Sequence, residues 1–325
     1  MAPQSQPTRG AGVPTAVIIV LAVVAALVGL ALLVARRMRE AGVYVRLRTK
    51  SGPVVVFTVE GDDGEPVRVL NVGGMYQSAT YLDESRAYDL VFEYTKLYDK
   101  MFEALPVRNA LMIGGGGYSY PKHYIAEHPK ARMDVVEIDP AITDLAWRHF
   151  FLDRLFAQFD LEESGRLGLI CDDGRSYLER RAAEIAAHAG APAGVPAGAP
   201  APYDAVLVDA FSGKEPAVSL ATVEAARAVK GCLAPGGLYM ANVVSALEGP
   251  DARLLRAMAR TLGQVFGHVW VVPCATDAFA ELDNVMLVAS DGAYELEGAR
   301  CADRLGIGAD DPVLTDGDDM SKLKG

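Results

Sequence analysis

Four short stretches of this 325-residue chain place glycines and carboxylates where they could bind and transform a small ligand. The run Gly114 to Gly117 follows one apolar segment and precedes a helical one. Glycine lets the backbone turn tightly and approach a ligand without a Cβ in the way. Glu137, Asp173 and Asp209 each follow a further apolar run. Carboxylates accept hydrogen bonds, and a well-placed one can also take up a proton.

The segments around these residues predict an α/β fold with a mainly parallel sheet. From Asn109 onward strands alternate with helical stretches, which is typical of a sheet covered on both faces. We expect the last two strands to form an antiparallel edge pair, as in class I methyltransferase-type folds. The predicted strands are Ala110 to Ile113, Met133 to Val136, Leu167 to Cys171, Ala205 to Val208, Leu238 to Val243, Val269 to Val272 and Val285 to Ala289.

The position of the carboxylates favours a nucleoside as the ligand. Open α/β sheets bind ligands at the carboxyl ends of their strands, where all three acids fall. Glu137 lies about 20 residues beyond the glycines, where a carboxylate can accept hydrogen bonds from both ribose hydroxyls. A nicotinamide dinucleotide is the competing ligand, but Ser119 stands where its fingerprint has a third glycine. The structural alternatives are a plain strand–helix turn for the glycines, and helix caps for Asp173 and Asp209.

A small β-rich unit is predicted before the main sheet. Val54 to Val59 and Val67 to Val72 are two β-rich runs, and Gly61 to Gly64 between them is typical of a hairpin turn. Glu84 to Ala104 then carries apolar residues at helical spacing, including Tyr88.

The N-terminal segment predicts a membrane span. Val13 to Ala35 is an uncharged apolar run of about 23 residues, long enough to cross a bilayer. A secretory signal peptide is the alternative, but its apolar region is shorter and follows a basic start. Arg36, Arg37 and Arg39 follow the run and only Arg9 precedes it, so the positive-inside rule places the C-terminal domain in the cytoplasm.

Composition argues against several classes of partner. The net charge of −11 opposes binding to phosphate backbones, so nucleic acid is not expected, whereas a cationic ligand suits an acidic protein. The four cysteines form no Cys-x-x-Cys pair and the five histidines have no metal-ligand spacing. We therefore expect neither a disulfide framework nor a metal.

These patterns divide the chain into a tail (1–12), the transmembrane helix (13–35), a juxtamembrane and β-hairpin/helix unit (36–106), a Rossmann-like nucleoside-binding domain (107–307) and an acidic tail (308–325). The stretch 189–202 is rich in Ala, Gly and Pro, which is typical of a linker. The tail from Gly308 onward is acidic and polar, and we expect part of it to be disordered.

About residues 50 to 290 resemble the spermidine synthase family, the aminopropyltransferases. The N-terminal β segment separates this family from ordinary methyltransferases, which lack it. The stretches that carry the resemblance are Val69 to Ser78, Gly114 to Gly117, Val136 to Pro140, Asp173 to Arg175, Tyr203 to Asp209 and Leu233 to Gly237.

The resemblance implies a nucleoside site made by Gln77, Gly114, Gly116, Glu137 and Asp173. Glu137 would bind the ribose and Asp173 the adenine amino group. The co-substrate would be decarboxylated S-adenosylmethionine, or S-adenosylmethionine itself.

The resemblance also implies a catalytic pair. Asp209 would be the catalytic carboxylate, and Tyr88 would lie beside it, since the family has an acidic residue and a tyrosine opening a helix, matched by Asp83 and Tyr88. An amine would displace a neutral thioether from a sulfonium without a metal. The expected partners are a small-molecule amine or polyamine, the membrane and, by family analogy, a second copy in a homodimer.

Two positions depart from the family pattern. The family has an aspartate at the place of Gly117 and usually a second one at the place of Ser212, and both bind cationic groups. Lys214 adds a positive charge near Ser212, which Glu215 can offset. The sequence around Asp209 resembles a branch of spermidine synthase-like proteins often attached to membrane segments. Three functions therefore stay open: aminopropyl transfer, S-adenosylmethionine-dependent methyl transfer, and nucleoside binding without catalysis.

Overall fold

The computed structural model describes residues 15–40, 42–188, 200–212, 215–274, 282–308 and 310–318. Most of the linker expected at 189–202 lies outside the described residues, as do the tail 1–12, Lys214 and residues 319–325. The chain divides into two compact units, Met1–Tyr44 and Val45–Gly325.

The first unit contains helix α1 (Thr15–Glu40), which is 26 residues long. Its stretch Ile19–Met38 is long and apolar enough to cross a membrane, and none of that stretch is buried. The first two residues of the predicted span, Val13 and Pro14, lie outside the described residues. The helix continues past the expected end at Ala35 because arginine and methionine are good helix formers.

A four-stranded sheet precedes the main sheet and has the strand order β1-β2-β3-β4. Its strands are β1 (Val43–Thr49), β2 (Gly52–Glu60), β3 (Pro66–Val72) and β4 (Met75–Tyr81). The predicted hairpin joins β2 to β3, which pair antiparallel. In its turn the Gly61 amide donates to the Glu65 carbonyl at 2.8 Å, and the Gly64 amide to the Gly61 carbonyl at 2.9 Å.

The continuous helix predicted from Glu84 to Ala104 is wrong in its first half. A 3-10 turn covers Glu84–Arg86, and Asp83 caps it by accepting a hydrogen bond from the Ser85 amide. The chain is extended at Phe92, and helical structure resumes with α2 (Glu93–Lys96), a second 3-10 turn (Leu97–Lys100) and α3 (Met101–Ala104). Tyr88 therefore lies on a loop between this turn and α2.

The main sheet has eight strands in the order β14-β12-β13-β11-β8-β5-β6-β7. Strands β11, β8, β5, β6 and β7 run parallel, whereas β13 is antiparallel to both β11 and β12, as predicted for the last two long strands. A short separate pair joins β9 and β10. The bounds are β5 (Asn109–Ile113), β6 (Arg132–Glu137), β7 (Leu167–Cys171), β8 (Tyr203–Val208), β9 (Phe211–Ser212), β10 (Glu215–Pro216), β11 (Leu233–Ser245), β12 (His268–Pro273), β13 (Asp283–Ser290) and β14 (Arg300–Cys301).

Helices cover both faces of this sheet, as the α/β prediction requires. The remaining helices are α4 (Ser119–Glu127), α5 (Pro140–His149), α6 (Leu152–Gln158), α7 (Leu161–Ser164), α8 (Gly174–His188), α9 (Val223–Cys232) and α10 (Arg253–Leu262). One buried core contains residues of α4, α5 and α6 together with Val54 and Leu70 of the small sheet. The other contains residues of α8, α9 and α10. The small sheet is thus part of the core on one side of the main sheet.

The acidic tail is more ordered than its composition suggested. Within 310–318, Leu314 is buried in the core beside α9 and α10. Its amide donates to the Thr261 hydroxyl at 2.9 Å, and its carbonyl accepts from the Val223 amide at 2.8 Å. Burial of this apolar residue and its two hydrogen bonds offset part of the ordering cost of the segment.

Candidate functional site

A cavity of about 820 Å³ opens at the carboxyl ends of the parallel strands. It is the size of a small-molecule site, which typically encloses about 300–1,000 Å³. Six of the seven predicted site residues line it: Gln77, Gly114, Gly116, Glu137, Asp173 and Asp209. The seventh, Tyr88, does not. The expected convergence of strand-end carboxylates beside a glycine loop is therefore present in the described residues.

Gly114 brings the loop directly against the end of strand β8. Its φ is +98°, and a Cβ at this position would lie 2.2 Å from the Asp209 carbonyl oxygen. The Asp209 amide in turn donates to the Ile113 carbonyl at 2.9 Å. Only glycine combines this backbone conformation with such an approach. The loop and Asp209 are thus held together by the main chain.

Glu137 ends strand β6 and binds the glycine loop through its carboxylate. Oε2 accepts from the amides of Gly115 at 2.9 Å and Gly116 at 3.2 Å, and Oε1 accepts from the Asp139 amide at 2.9 Å. The residue is only 8% exposed, yet it lines the cavity. We call Gly115, Gly116 and Glu137 the glycine-loop cluster. A carboxylate has about four acceptor sites, so three amide bonds leave it able to accept from a ligand hydroxyl.

Asp173 and Asp172 have separate tasks at the start of helix α8. Asp173 Oδ1 accepts from the Ser176 amide at 2.9 Å, which is a helix-capping contact, and the residue also lines the cavity. Asp172 instead pairs with Arg180 at 2.6 Å. The capping role and the ligand-binding role predicted for Asp173 are compatible, since a cap uses one carboxylate oxygen.

Asp209 is held by two side chains from distant parts of the chain. Tyr94 donates from its hydroxyl to Oδ2 at 3.2 Å, and Asn242 donates from Nδ2 to Oδ1 at 3.0 Å. We call these three residues the Asp209 cluster. Asp209 is partly exposed at the cavity wall, but the surrounding protein desolvates its carboxyl, and this burial raises the pKa of Asp209. The two hydrogen bonds act in the opposite direction because they stabilise the ionised form.

The tyrosine beside Asp209 is Tyr94, which corrects the placement expected for Tyr88. The Tyr88 hydroxyl donates to Gln158 at 3.0 Å, at the end of helix α6. Tyr88 faces α6 because the chain around it is a loop rather than a helix. Glu93 and Tyr94 open helix α2, so they also fit the family pattern of an acidic residue and a tyrosine at a helix start. That second match was the signal that sequence reasoning overlooked.

Asn242 was also missed. It lies in β11, is 4% exposed, and interrupts the apolar run from Leu238 to Val244. A buried polar side chain needs a partner, so its position in an apolar run was a usable signal. Its amide nitrogen has Asp209 as a partner, whereas its Oδ1 has none among the described residues.

The structure gives a steric reason for Gly117. A Cβ there would lie 2.7 Å from Ser78 Oγ and 3.0 Å from the Phe150 ring. Ser78 is fixed in turn, since its hydroxyl lies 2.7 Å from that of Ser119, which donates to the Ala79 carbonyl. An aspartate at 117 is therefore incompatible with this packing. The side chain of Ser212 and all of Lys214 lie outside the described residues.

Within the same described ranges, His, Cys, Asp and Glu form no group of three or more that could hold a metal ion.

Comparisons with known proteins show which sequences and structures the chain is similar to. No family model matches the chain. The polyamine aminopropyltransferase of Vibrio vulnificus is 29% identical over 202 residues, which are 61% of this chain and 56% of that protein. Polyamine aminopropyltransferase 2 of Pseudomonas aeruginosa is 30% identical over 207 residues, 62% of this chain and 50% of that protein. The chain thus spans about half the length of these curated relatives.

Solved structures share the fold. A probable spermidine synthase from Corynebacterium glutamicum superposes with a TM-score of 0.63 at 20% identity, over 85% of this chain and 97% of that one. A spermidine synthase in complex with the transition-state analogue AdoDATO superposes with a TM-score of 0.55 at 18% identity, over 77% of this chain and 74% of that one. The predicted class I methyltransferase-like fold with an N-terminal β unit is confirmed. By its sequence relatives the chain is similar to polyamine aminopropyltransferases, and it shares its fold with spermidine synthases.

Proposed function

We propose that the chain is a transferase that moves an aminopropyl group from decarboxylated S-adenosylmethionine to a small amine. One observation carries the proposal: Glu137, Asp173 and Asp209 line the same cavity beside a glycine loop. The family resemblance and the aminopropyltransferase names of the curated relatives agree with it.

The donor would bind through its nucleoside. Glu137 has acceptor capacity left for the ribose hydroxyls, and Asp173 has a carboxylate oxygen that the helix cap does not use. Gly114 and Gly116 let the backbone approach the ligand without a Cβ. Gln77 lines the same cavity and completes the proposed nucleoside set.

The reaction would be a direct displacement at the Asp209 cluster. The acceptor nitrogen forms a bond to the carbon beside the sulfonium, the carbon–sulfur bond breaks, and methylthioadenosine leaves as a neutral thioether. An amine with a pKa near 10 is mostly protonated at neutral pH, so a proton must be removed before attack. Asp209 would accept it, and the raised pKa of its buried carboxyl makes it a stronger base than a surface aspartate.

Tyr94 would orient Asp209 rather than take the proton itself. Burial and the neighbouring Asp209 carboxylate raise the pKa of Tyr94 well above its ordinary value, so the hydroxyl stays protonated and donates. Orientation of the carboxylate and the acceptor supplies much of the rate in a reaction without a covalent intermediate.

Helix α1 would anchor this domain to a membrane. It is long and apolar enough to span one, and Arg36 and Arg37 follow the apolar run. The arginines would keep the C-terminal domain on the cytoplasmic side. A small amine or polyamine is the proposed acceptor, and the family analogy extends to a homodimer, which light scattering of the detergent-solubilised chain would reveal.

The proposal is tested by assaying the full-length chain in detergent with decarboxylated S-adenosylmethionine and a panel of monoamines, diamines and triamines. Mass spectrometry should detect one aminopropylated amine for each methylthioadenosine released. Tight binding of methylthioadenosine without product from any amine would leave only a nucleoside-binding domain.

Methyl transfer is a second candidate, and the packing of Gly117 favours it. The family aspartate that holds the donor ammonium is missing, and Ser78 occupies the space its Cβ needs. A donor that still carries its carboxylate would meet less repulsion there. The same assay with S-adenosylmethionine separates the two candidates, since a methylated amine and S-adenosylhomocysteine would replace the products above.

A further inference from the structure

The C-terminal segment 310–318 forms part of the cavity wall. We call it the C-terminal strap. Thr315, Asp316, Gly317 and Asp318 line the same cavity as Asp173 and the glycine loop, although more than 100 residues separate them in the sequence. These four residues of the acidic tail are exposed, yet they lie at the edge of the proposed nucleoside site.

The strap is attached to the domain before it reaches the cavity. The Arg256 Nε donates to Asp311 at 3.0 Å, and both side chains are largely buried. Leu314 follows, buried in the core and hydrogen-bonded to Thr261 and Val223. These contacts bring the next four residues to the cavity in a defined register.

Arg175 connects the strap to the turn that carries Asp173. Its guanidinium binds both oxygens of Asp316, at 2.9 Å and 2.7 Å, in a bidentate pair. The Arg175 side chain is 13% exposed and also donates to the Ser219 carbonyl at 2.9 Å. Bidentate pairs between arginine and carboxylate are among the strongest charge-assisted contacts, and they specify geometry. Asp316 also accepts from the Thr222 hydroxyl at 2.7 Å.

We propose that the C-terminal strap is part of the nucleoside subsite, and that its docking and nucleoside binding stabilise each other through the Arg175–Asp316 pair. This rests on the proposed function, because it takes the Asp173 side of the cavity as the nucleoside side. A ligand that contacts both Asp173 and the strap binds better when the strap is docked. Linkage then requires that the ligand hold the strap in place by the same free energy.

The first measurement is calorimetry of the full-length chain with methylthioadenosine. Asp316→Asn removes the charge of the pair at nearly constant volume, and we expect about a tenfold higher Kd, which corresponds to about 1.4 kcal/mol. Asp310→Asn is the matched control in the same segment. Asp310 is exposed and does not line the cavity, so its Kd should stay within about twofold of wild type, as usual for surface substitutions.

The second measurement uses the unmutated chain, so it does not depend on a variant that folds. Hydrogen exchange of the amides from Thr315 to Asp318 should slow when methylthioadenosine saturates the protein, while the hairpin amides at Gly61 and Gly64 should not change. Unchanged exchange in the strap, or an Asp316→Asn variant that binds as tightly as wild type, would overturn the proposal.

The outcomes separate the two proposals. Wild-type protein that binds no adenine nucleoside overturns both the proposed function and the role of the strap. Nucleoside binding that is coupled to the strap, but without transfer to any amine, supports the strap and overturns the transferase.

Discussion

The glycine-loop cluster and the Asp209 cluster share one cavity wall but are assembled over different distances along the chain. Glu137 reaches the amides of Gly115 and Gly116 across 22 and 21 residues, within one strand–helix–strand unit. Asp209 meets Tyr94 across 115 residues and Asn242 across 33. The first cluster is made mostly by backbone groups, the second entirely by side chains.

This difference determines how strongly each cluster depends on the identity of its side chains. Backbone donors in a glycine loop keep their direction as long as the loop keeps its conformation, so the proposed nucleoside side depends on few side-chain identities. The Asp209 cluster depends on three side chains and on the packing of three separate elements. We therefore expect substitutions in the two clusters to have separable effects, on donor binding in one and on the chemical step in the other.

The largest expected effect is from Asp209→Asn. Loss of the proposed general base should lower kcat by about 100- to 10,000-fold, while the Kd for methylthioadenosine stays near wild type. Stopped assays with the decarboxylated donor would measure kcat, and calorimetry would measure the Kd for methylthioadenosine. Asp144→Asn, in an exposed pair with Arg148, is the control and should change neither. Equal losses in binding and kcat for Asp209→Asn would mean that the clusters do not divide these tasks.

Glu137→Gln should have the complementary effect on the donor. Its carboxylate accepts from three amides, and the neutral amide is a weaker acceptor, so the Kd for methylthioadenosine should rise about 10- to 100-fold. The kcat at saturating donor should change far less. Calorimetry and saturation kinetics test this, with Glu162→Gln, an exposed residue of α7, as the control. A normal Kd in Glu137→Gln would remove Glu137 from the donor site.

Gly117→Asp tests why the nucleoside side departs from the family pattern. The new side chain would overlap Ser78 and Phe150, so we expect a loss of about 1–3 kcal/mol in the free energy of unfolding, typical of overpacking. Adding Ser78→Gly should recover part of it, and the double variant should favour the decarboxylated donor more strongly. Thermal melts and competition binding measure these effects. If the melting temperature of Gly117→Asp equals that of wild type, packing does not explain why glycine rather than aspartate occupies position 117.

The smallest expected effect concerns the tyrosine beside Asp209. The proposed reaction requires the ionised carboxylate, so kcat/KM should fall as the pH falls through the raised pKa of Asp209. Tyr94→Phe removes a hydrogen bond that lowers this pKa, so the acidic limb of the profile should move to higher pH. Tyr88→Phe, which loses only a bond to Gln158, should leave the profile unchanged. The opposite result for the two variants would restore Tyr88 as the active-site tyrosine.

Local signals in the sequence predicted most of the fold. The alternation of apolar runs and helical stretches predicted the parallel strands and the antiparallel pair near one edge of the main sheet. Strand β1 was missed because its arginines suggested a basic juxtamembrane segment. Its alternating burial shows the ordinary period-two pattern of a strand, with Arg46 and Arg48 facing outward. The continuous helix expected from Glu84 was wrong, since the periodic aromatic residues lie on a loop, a 3-10 turn and short helices.

By itself the sequence determined which residues end strands, and therefore that Glu137, Asp173 and Asp209 meet at one edge of the sheet. Where a strand ends is a local property of the sequence. Because the strands run parallel, their carboxyl ends lie at the same edge of the sheet. Only the tertiary structure decided which side chains join them. The partners of Asp209 come from α2 and β11, and the strap reaches the cavity from the far end of the chain. Such contacts depend on how whole elements pack, which no spacing within a short stretch encodes.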